Sequence, residues 1–370
     1  PVGRTMLPLP ERPDGPTVVL CETTDYVSLM GSHLTVRGAP FYSQDAQLTR
    51  CGQAAMLSTG YYYHLAFGEP RMLPGDIANA AGANSGEFGR STPSPGITLN
   101  QLLETATALR VPPVLYPVAS LRSTEEVICR YLNSKFPVTV FTQRHAFLLV
   151  GYRIDVEDDG THSVWFLRHD DEVGPYKWVH LREVDEYGAW QYLVVPLPPK
   201  VYLVAERAEA LGLAQFKDTL KLGSADDRQL LKRLDAGELV LRCSAVTSND
   251  FKRTLRDCNY PDPLIVEYQM MRMSRFIWVV ELTDKTARDC GDQCVRAEVI
   301  IDATDHPHAP RILAWRIPSG LGWSVIDSND VTFESNFAHG EPVHSVITHI
   351  SPQRPAQVST AAEAQETAAI

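Results

Sequence analysis

The stretch FYSQDAQLTRCGQAAM, residues 41–56, places a single cysteine where a polar loop gives way to small and apolar residues. From Cys51 onward, the residues CGQAAMLSTGYYYHLAF carry apolar side chains at helical spacing, and Gly68 follows as a stop signal. The pattern predicts a mostly buried helix that begins at Cys51. Because a helix dipole favours negative charge at the N-terminus, this position suits a reactive thiolate.

A histidine that can activate this thiol opens a predicted strand farther along the chain. His145 stands in TQRHAFLLVGYRID, directly before an apolar run, and is the best placed of the 11 histidines. The next predicted strand, in SVWFLRHDDEVGPY, is followed by Asp170 and Asp171. Since the end of one hairpin strand lies beside the start of the other, Asp170 is predicted to orient His145. Asp171 remains the alternative register.

The loop before Cys51 offers side-chain amides for the oxyanion that forms in acyl transfer. Gln44 and Gln47 are both candidates, and the backbone N–H of Cys51 is the second donor. Each of these residues alone has an ordinary structural explanation, because free cysteines are often buried and aspartates are common in turns. The ordered set is what indicates thiol acyl chemistry, which needs no cofactor.

The sequence pattern changes along the chain. Helical patterns dominate from Cys51 to about residue 135, and short β-branched and aromatic segments follow from Pro137. Helices followed by antiparallel strands predict an α+β fold. The expected organisation is an N-terminal arm over 1–34, a first domain over 35–198, a second α+β region of unknown role over 199–350 and a flexible tail over 351–370.

Composition limits the classes of function. The chain has 370 residues, and 44% of them are hydrophobic, so a sizeable core can form. The net charge of −11 argues against nucleic acid or an anionic membrane as the main partner. The sequence contains no apolar run as long as a membrane-spanning helix, and PVGRTMLPLPERPDGP has no secretory-signal pattern. These features predict a cytoplasmic protein.

The seven cysteines are an odd and sparse set, which favours free thiols in a reducing compartment. Cys290 and Cys294, in CGDQC, would need two further ligands to bind zinc. Cys258 and the His306 and His308 pair could supply them. The spacing matches no established zinc pattern, so no metal is expected.

The Gln-containing loop, the CG at a helix start, the HA before an apolar strand and the following Asp together resemble the papain-like cysteine peptidase superfamily. Within it, the pattern is most similar to the bacteriocin-processing peptidases, which remove double-glycine leaders, and to related bacterial proteins. The resemblance covers residues 35–195 and implies Cys51 as nucleophile, His145 as base, Asp170 as orienting residue and Gln44 as oxyanion donor. The chain departs from the family pattern at Arg50, in CGQ, and at Asp171, where proline is common. No transporter segment or ATP-binding domain is recognised, so processing coupled to export is not expected.

These features predict a papain-like domain with thiol-dependent hydrolysis of peptide or isopeptide amide bonds. Two alternatives stay open. One is an acyl transferase or transglutaminase-like enzyme with the same triad and an amine acceptor. The other is a catalytically inactive papain-like binding module. The expected partners are a peptide or protein substrate and a protein bound through residues 199–350.

Overall fold

The computed structural model describes residues 4–8, 18–44, 50–82, 96–156, 162–181, 188–284, 294–324, 331–334 and 343–346. The chain forms two compact units, residues 1–199 and 200–370, and the division falls inside the segment PLPPK. Both units combine helices with antiparallel sheets. The predicted α+β class is therefore confirmed. Gln47 and the tail 351–370 lie outside the described residues.

Four α-helices are described in unit 1, within the stretch from Cys51 to about residue 135 where helical patterns dominate the sequence: α1 (Cys51–Phe67), α2 (Pro74–Ala80), α3 (Leu99–Ala108) and α4 (Thr124–Asn133). Side-chain caps define two of their starts. The Thr98 hydroxyl accepts a hydrogen bond from the Gln101 backbone, and the Ser123 hydroxyl accepts one from the Glu126 backbone.

Helix α1 is the central element of unit 1. Every residue from Gly52 to Tyr63 is buried, which is typical of a helix with small or apolar residues on all sides. The helix contacts strands on several sides and ends at Gly68, whose φ of 68° is a left-handed conformation that glycine adopts without strain. The N-terminus of α1 is thereby fixed against the sheet of unit 1.

Unit 1 contains the strands β1 (Arg4–Met6), β2 (Val18–Leu20), β3 (Thr23–Leu29), β4 (Ser32–Gly38), β5 (Pro40–Tyr42), β6 (Pro113–Pro117), β7 (Val138–Phe141), β8 (Ala146–Val156), β9 (His162–Asp170), β10 (Gly174–His180) and β11 (Tyr192–Pro196). Seven of them form one antiparallel sheet in the order β10-β9-β8-β7-β11-β6, with β2 paired to the far half of β8. In the β8–β9 hairpin, Leu148 pairs with His169. This register brings the start of β8 beside the end of β9.

The prediction of a separate N-terminal arm over residues 1–34 is corrected by the structure. Strand β2 pairs with β8 in the main sheet, β1 pairs with β5, and β3 forms a hairpin with β4. Strands of three residues, such as β1 and β2, are too short to show a period by themselves, and their partners β5 and β8 lie farther along the chain. Residues 18–34 therefore belong to the body of unit 1.

Unit 2 contains the helices α5 (Ala205–Leu222), α6 (Ala225–Asp235), α7 (Ser248–Thr254) and α8 (Asp262–Met270), and the strands β12 (Leu239–Thr247), β13 (Phe276–Asp284), β14 (Cys294–Asp302), β15 (Ile312–Ile317), β16 (Gly320–Ser324), β17 (Val331–Glu334) and β18 (Val343–His344). The strands form a second antiparallel sheet in the order β12-β13-β14-β15-β16-β17, with β18 paired to β14.

Helices cover both faces of the unit 2 sheet. Ile277 and Val279 of β13 pack in a core cluster with residues of α7 and α8. The alternate residue Val280 faces α5, where a Cβ placed on Gly212 would lie 2.6 Å from a Val280 methyl group. Because β13 is buried on both faces, its sequence reads as a nearly continuous apolar run. Within the described ranges, no helix combines the length and apolarity that a membrane crossing requires.

Candidate active site

Cys51 is the first residue of α1, and its side chain is a half-buried free thiol. Arg50 is the N-cap residue, and its backbone N–H donates to the Gln53 side chain at 2.8 Å. At the first helical position, the N–H of Cys51 has no acceptor within the helix. The start of α1 therefore offers both a thiol and a backbone donor beside it.

His145 directly precedes β8 and is held by the turn that joins β7 to β8. The Thr142 N–H donates to the His145 carbonyl at 2.9 Å, and the His145 N–H donates to the Thr142 hydroxyl at 3.0 Å. The imidazole is 4% exposed. Because two hydrogen bonds hold the backbone of His145 and its side chain is buried, the ring keeps one orientation.

The imidazole of His145 bridges the thiol and a carboxylate. Its Nε2 lies 3.0 Å from Oδ1 of Asp170, and the ring is also hydrogen-bonded to the Cys51 side chain. Burial alone lowers the pKa of His145, but the hydrogen bonds to Asp170 and Cys51, with their charges, outweigh it and raise the pKa to about 10. The ring is an imidazolium at neutral pH.

Asp170 is fully buried and is held as an anion by several donors. Burial raises the pKa of Asp170, yet the hydrogen bond and charge of His145 and the charge of Arg168 prevail and lower it to about 2. The Arg168 guanidinium donates to Oδ2, and the backbone N–H groups of Glu172 and Val173 donate to Oδ1 at 2.9 and 3.2 Å. This carboxylate is available to orient and stabilise the imidazolium.

The structure distinguishes the two candidate aspartates by distance. Oδ1 of Asp171 lies 3.8 Å from Nε2 of His145, against 3.0 Å for Asp170. Burial raises the pKa of Asp171 to about 6, so this carboxyl group holds its proton more readily than Asp170 does. Asp170 is the residue that fits the orienting role, and Asp171 is a second carboxyl group at the same imidazole.

Gln44 contacts the turn that follows β9. Its Nε2 donates to the Glu172 carboxylate at 3.0 Å, and the Glu172 backbone in turn donates to Asp170. An amide nitrogen carries two hydrogens, so one remains for an oxyanion. Of the two glutamines proposed as donors, Gln44 is the one that the described residues connect to the site.

Two residues that contribute to the site, Arg168 and Glu172, were not predicted from the sequence. Arg168 precedes Asp170 by two residues, and side chains two apart on a strand share a face, so the spacing is a usable signal. The Arg168 guanidinium carbon also lies 4.0 Å from the centre of the Phe147 ring. The contact between Glu172 and Gln44 joins residues far apart in the sequence and leaves no local pattern.

One set of three possible metal ligands occurs among the described side chains, namely His145, Asp170 and Asp171, whose ligand atoms lie within 4.8 Å of one another. A cation there would displace the imidazole proton and lie against the charge of Arg168. The set therefore suits an acid–base function better than metal binding.

The zinc ligands considered from the sequence do not come together among the described side chains. Cys258 is buried, and burial raises the pKa of its thiol far above the ordinary value, so it stays protonated. Its Sγ lies 3.8 Å from the Ser345 carbonyl oxygen. Cys290 lies outside the described residues, as does the side chain of Cys294.

The geometry brings together a thiol at a helix N-terminus, an imidazolium and a buried carboxylate in that order. These groups can supply a nucleophile, a proton donor and an orienting anion for acyl transfer. In comparisons with known proteins, no family model matches the chain and no curated protein is similar to it.

Proposed function

We propose that this protein is a cysteine peptidase of papain-like type that hydrolyses peptide or isopeptide amide bonds. The observation that carries the proposal is the hydrogen-bonded series from the Cys51 side chain through the His145 ring to Asp170. A thiol held against an imidazolium is in the environment that favours the nucleophilic thiolate. Cys51, His145 and Asp170 are the proposed triad, and Gln44 with the Cys51 N–H is the proposed oxyanion site.

In the proposed reaction, the Cys51 thiolate attacks the carbonyl carbon of the amide. The tetrahedral oxyanion accepts hydrogen bonds from the Cys51 N–H and the Gln44 side chain. His145 gives its proton to the leaving amine, and a thioester remains on Cys51. Water then attacks the thioester while His145 takes a proton from it, which releases the acid and restores the Cys51 thiolate beside the His145 imidazolium. Asp170 keeps the ring oriented throughout and stabilises its positive charge.

The contact between thiol and imidazole also bears on the alternatives. An inactive binding module has no need of a half-buried thiol hydrogen-bonded to an imidazolium, so this arrangement favours an enzyme. Acyl transfer to an amine uses the same three residues. Free thiols at all five cysteines with described side chains are compatible with the proposed reducing, cytoplasmic compartment.

The direct test uses two cysteines of similar exposure. Cys51 and Cys129 are both half-buried free thiols, and only Cys51 contacts the imidazole of His145. Peptide mapping after brief iodoacetamide treatment at neutral pH should show Cys51 alkylated at least tenfold faster than Cys129. Equal rates at the two cysteines would remove the basis of the proposal.

Activity is tested with a peptide and isopeptide library read by mass spectrometry. Wild type and Cys129→Ala should cleave the same members, and Cys51→Ala should cleave none. Cleavage by Cys51→Ala at the wild-type rate would disprove the assignment of the nucleophile. A parallel reaction with a primary amine separates hydrolysis, which gives an acid, from acyl transfer, which gives a new amide.

A further inference from the structure

Asp171 presents a second carboxyl group to the proposed catalytic imidazole, and one of its oxygens is unsatisfied. Its side chain is 2% exposed, and Oδ1 lies 3.8 Å from Nε2 of His145. Oδ2 is buried without a hydrogen-bond partner. A buried acceptor left in this state keeps the cost of its lost hydration without a compensating hydrogen bond. A donor is therefore expected on the Oδ2 side.

His169, two residues earlier, is unsatisfied in the same way. The residue is 3% exposed, and neither ring nitrogen has a partner at normal hydrogen-bond geometry, although the Pro40 backbone lies close enough to the ring to affect its pKa. Burial lowers the pKa of His169 to about 3, and the nearby backbone of Pro40 opposes this only in part, so the ring is neutral at physiological pH. A neutral imidazole has one N–H donor and one acceptor nitrogen to satisfy. The His169 ring makes edge-to-face contacts with the rings of Phe41 and Tyr176, with 5.6 and 4.5 Å between ring centroids, and these contacts fix its position.

His169 and Asp171 line one small cavity between α1 and the sheet, together with Tyr42, Ser58 and apolar side chains. Its volume of about 10 Å³ is close to the space that one ordered water occupies. The Ser58 hydroxyl is already engaged, because it donates to the Ala54 carbonyl at 2.9 Å and accepts from the Tyr42 N–H at 3.2 Å. The unsatisfied polar groups of the cavity are therefore those of His169 and Asp171.

We propose that this cavity binds a single water that donates to Oδ2 of Asp171 and hydrogen-bonds a ring nitrogen of His169, which makes His169 and Asp171 positioning residues for His145. The water site follows from the unsatisfied groups alone, whereas its role at the imidazole rests on the proposed function. A donor to Oδ2 favours the ionised carboxylate. A second negative charge then faces the imidazolium beside Asp170.

The charged and titratable groups around Asp171 come from every element at the site: His145 before β8, Cys51 on α1, Arg168, His169 and Asp170 on β9, and Glu172 on its own loop. Of these, His169 shares the cavity with Asp171, and its ring is uncharged at neutral pH. Replacing His169 by phenylalanine therefore removes the water's second partner without removing a charge. The matched control is His180→Phe, a histidine on β10 that does not line the cavity.

The first test is a crystal structure of the full chain at a resolution that shows ordered water. The expected result is one density peak within hydrogen-bond distance of both Asp171 Oδ2 and a His169 nitrogen. An empty cavity, a peak that touches only one of the two residues, or a direct hydrogen bond between them would overturn the proposal. This result does not depend on whether the protein hydrolyses anything.

The second test follows the ¹⁵N signals of His145 through a pH titration, which reports the ionisation of Asp171 beside it. The ionisation of Asp171 should appear as an inflection in the His145 signals. In His169→Phe, loss of the water should raise the midpoint of this inflection by about one pH unit, the equivalent of one hydrogen bond. His180→Phe should leave the midpoint unchanged, and Asp171→Asn should abolish the inflection. An unchanged midpoint in His169→Phe would refute the positioning role. If His169→Phe fails to fold, His169→Leu, which likewise has no hydrogen-bonding atom, should raise the midpoint in the same way, and an unchanged midpoint there would again refute the positioning role.

Discussion

His145 and Asp170 face each other across the β8–β9 hairpin, with 3.0 Å between Nε2 and Oδ1. The two residues lie at the open end of paired strands, so the hairpin itself sets their separation. Arg168 and two backbone N–H groups hold the carboxylate from behind. The imidazole is thus oriented by an anion that is itself immobile.

Asp170→Asn should lower kcat by about 100-fold or more, because the amide does not stabilise the imidazolium and can favour the wrong tautomer. The variant should also lose about 3 kcal/mol of stability, since the buried guanidinium of Arg168 loses its counter-charge. Steady-state kinetics and urea unfolding measure the two effects separately.

The matched control for this variant is Asp155→Asn, which removes a carboxylate from the far end of β8. Asp155 pairs with Arg153 at 3.1 Å, and both side chains are partly exposed. The change should leave kcat unaltered and cost no more than about 1 kcal/mol. Equal loss of activity in the two variants would mean that Asp170 acts only through the fold.

The pH dependence of hydrolysis should show an alkaline limb near pH 10. Hydrogen bonds to Asp170 and Cys51 raise the pKa of His145 to about 10 despite its burial. The imidazolium that protonates the leaving amine is therefore fully present at neutral pH and is lost as the pH rises through this value. Measurement of kcat/KM from pH 6 to 11 checks the limb. A limb near 6.5, the ordinary histidine value, would contradict the hydrogen-bonded series.

The part of the site that lies on neighbouring elements was predictable from the sequence. The positions of His145 and Asp170 follow from hairpin pairing, and the place of Cys51 follows from the helix pattern after it. The pairing of Cys51 with His145 was a hypothesis from the positions of a helix start and a strand start, and the resemblance to papain-like peptidases implied the same pair; spacing alone does not bring a helix start to a distant strand. The link from Gln44 to Glu172 depends on how two loops meet, which no local pattern encodes.

In unit 2, helices α5 and α6 were predictable from their apolar period, and strands β13, β14 and β15 from their apolar, β-branched runs. Helices α7 and α8 have only 7 and 9 residues, too few turns for a period to show. The two glutamates at the centre of the sheet, Glu281 and Glu298, are opposite one another on β13 and β14 and are fully buried. Their burial depends on partners contributed by other elements.

Glu298→Gln should destabilise unit 2 by about 3–5 kcal/mol. The carboxylate accepts hydrogen bonds from the hydroxyls of Tyr260 and Tyr268 and pairs with the buried Arg316 at 3.2 Å. The substitution leaves the arginine charge without its anion. Hydrogen exchange in peptides of β13 and β14, read by mass spectrometry, should increase at least tenfold. Glu238→Gln is the control, since Glu238 is 57% exposed in its pair with Arg233 and should change exchange little.

Gln44→Ala should separate the oxyanion role from the reactivity of the thiol. Removal of one oxyanion donor lowers kcat by about 100-fold or more, because the donor stabilises charge that forms only in the transition state. The Cys51 thiolate and its imidazolium do not involve Gln44, so the rate of iodoacetamide alkylation should stay within about twofold of wild type. Glu172→Ala should produce a smaller loss of kcat, since it releases the Gln44 amide from its 3.0 Å contact without removing the donor. If Gln44→Ala lost alkylation and hydrolysis in parallel, Gln44 would have a structural role in the loop. Gln47 would then be the candidate oxyanion donor.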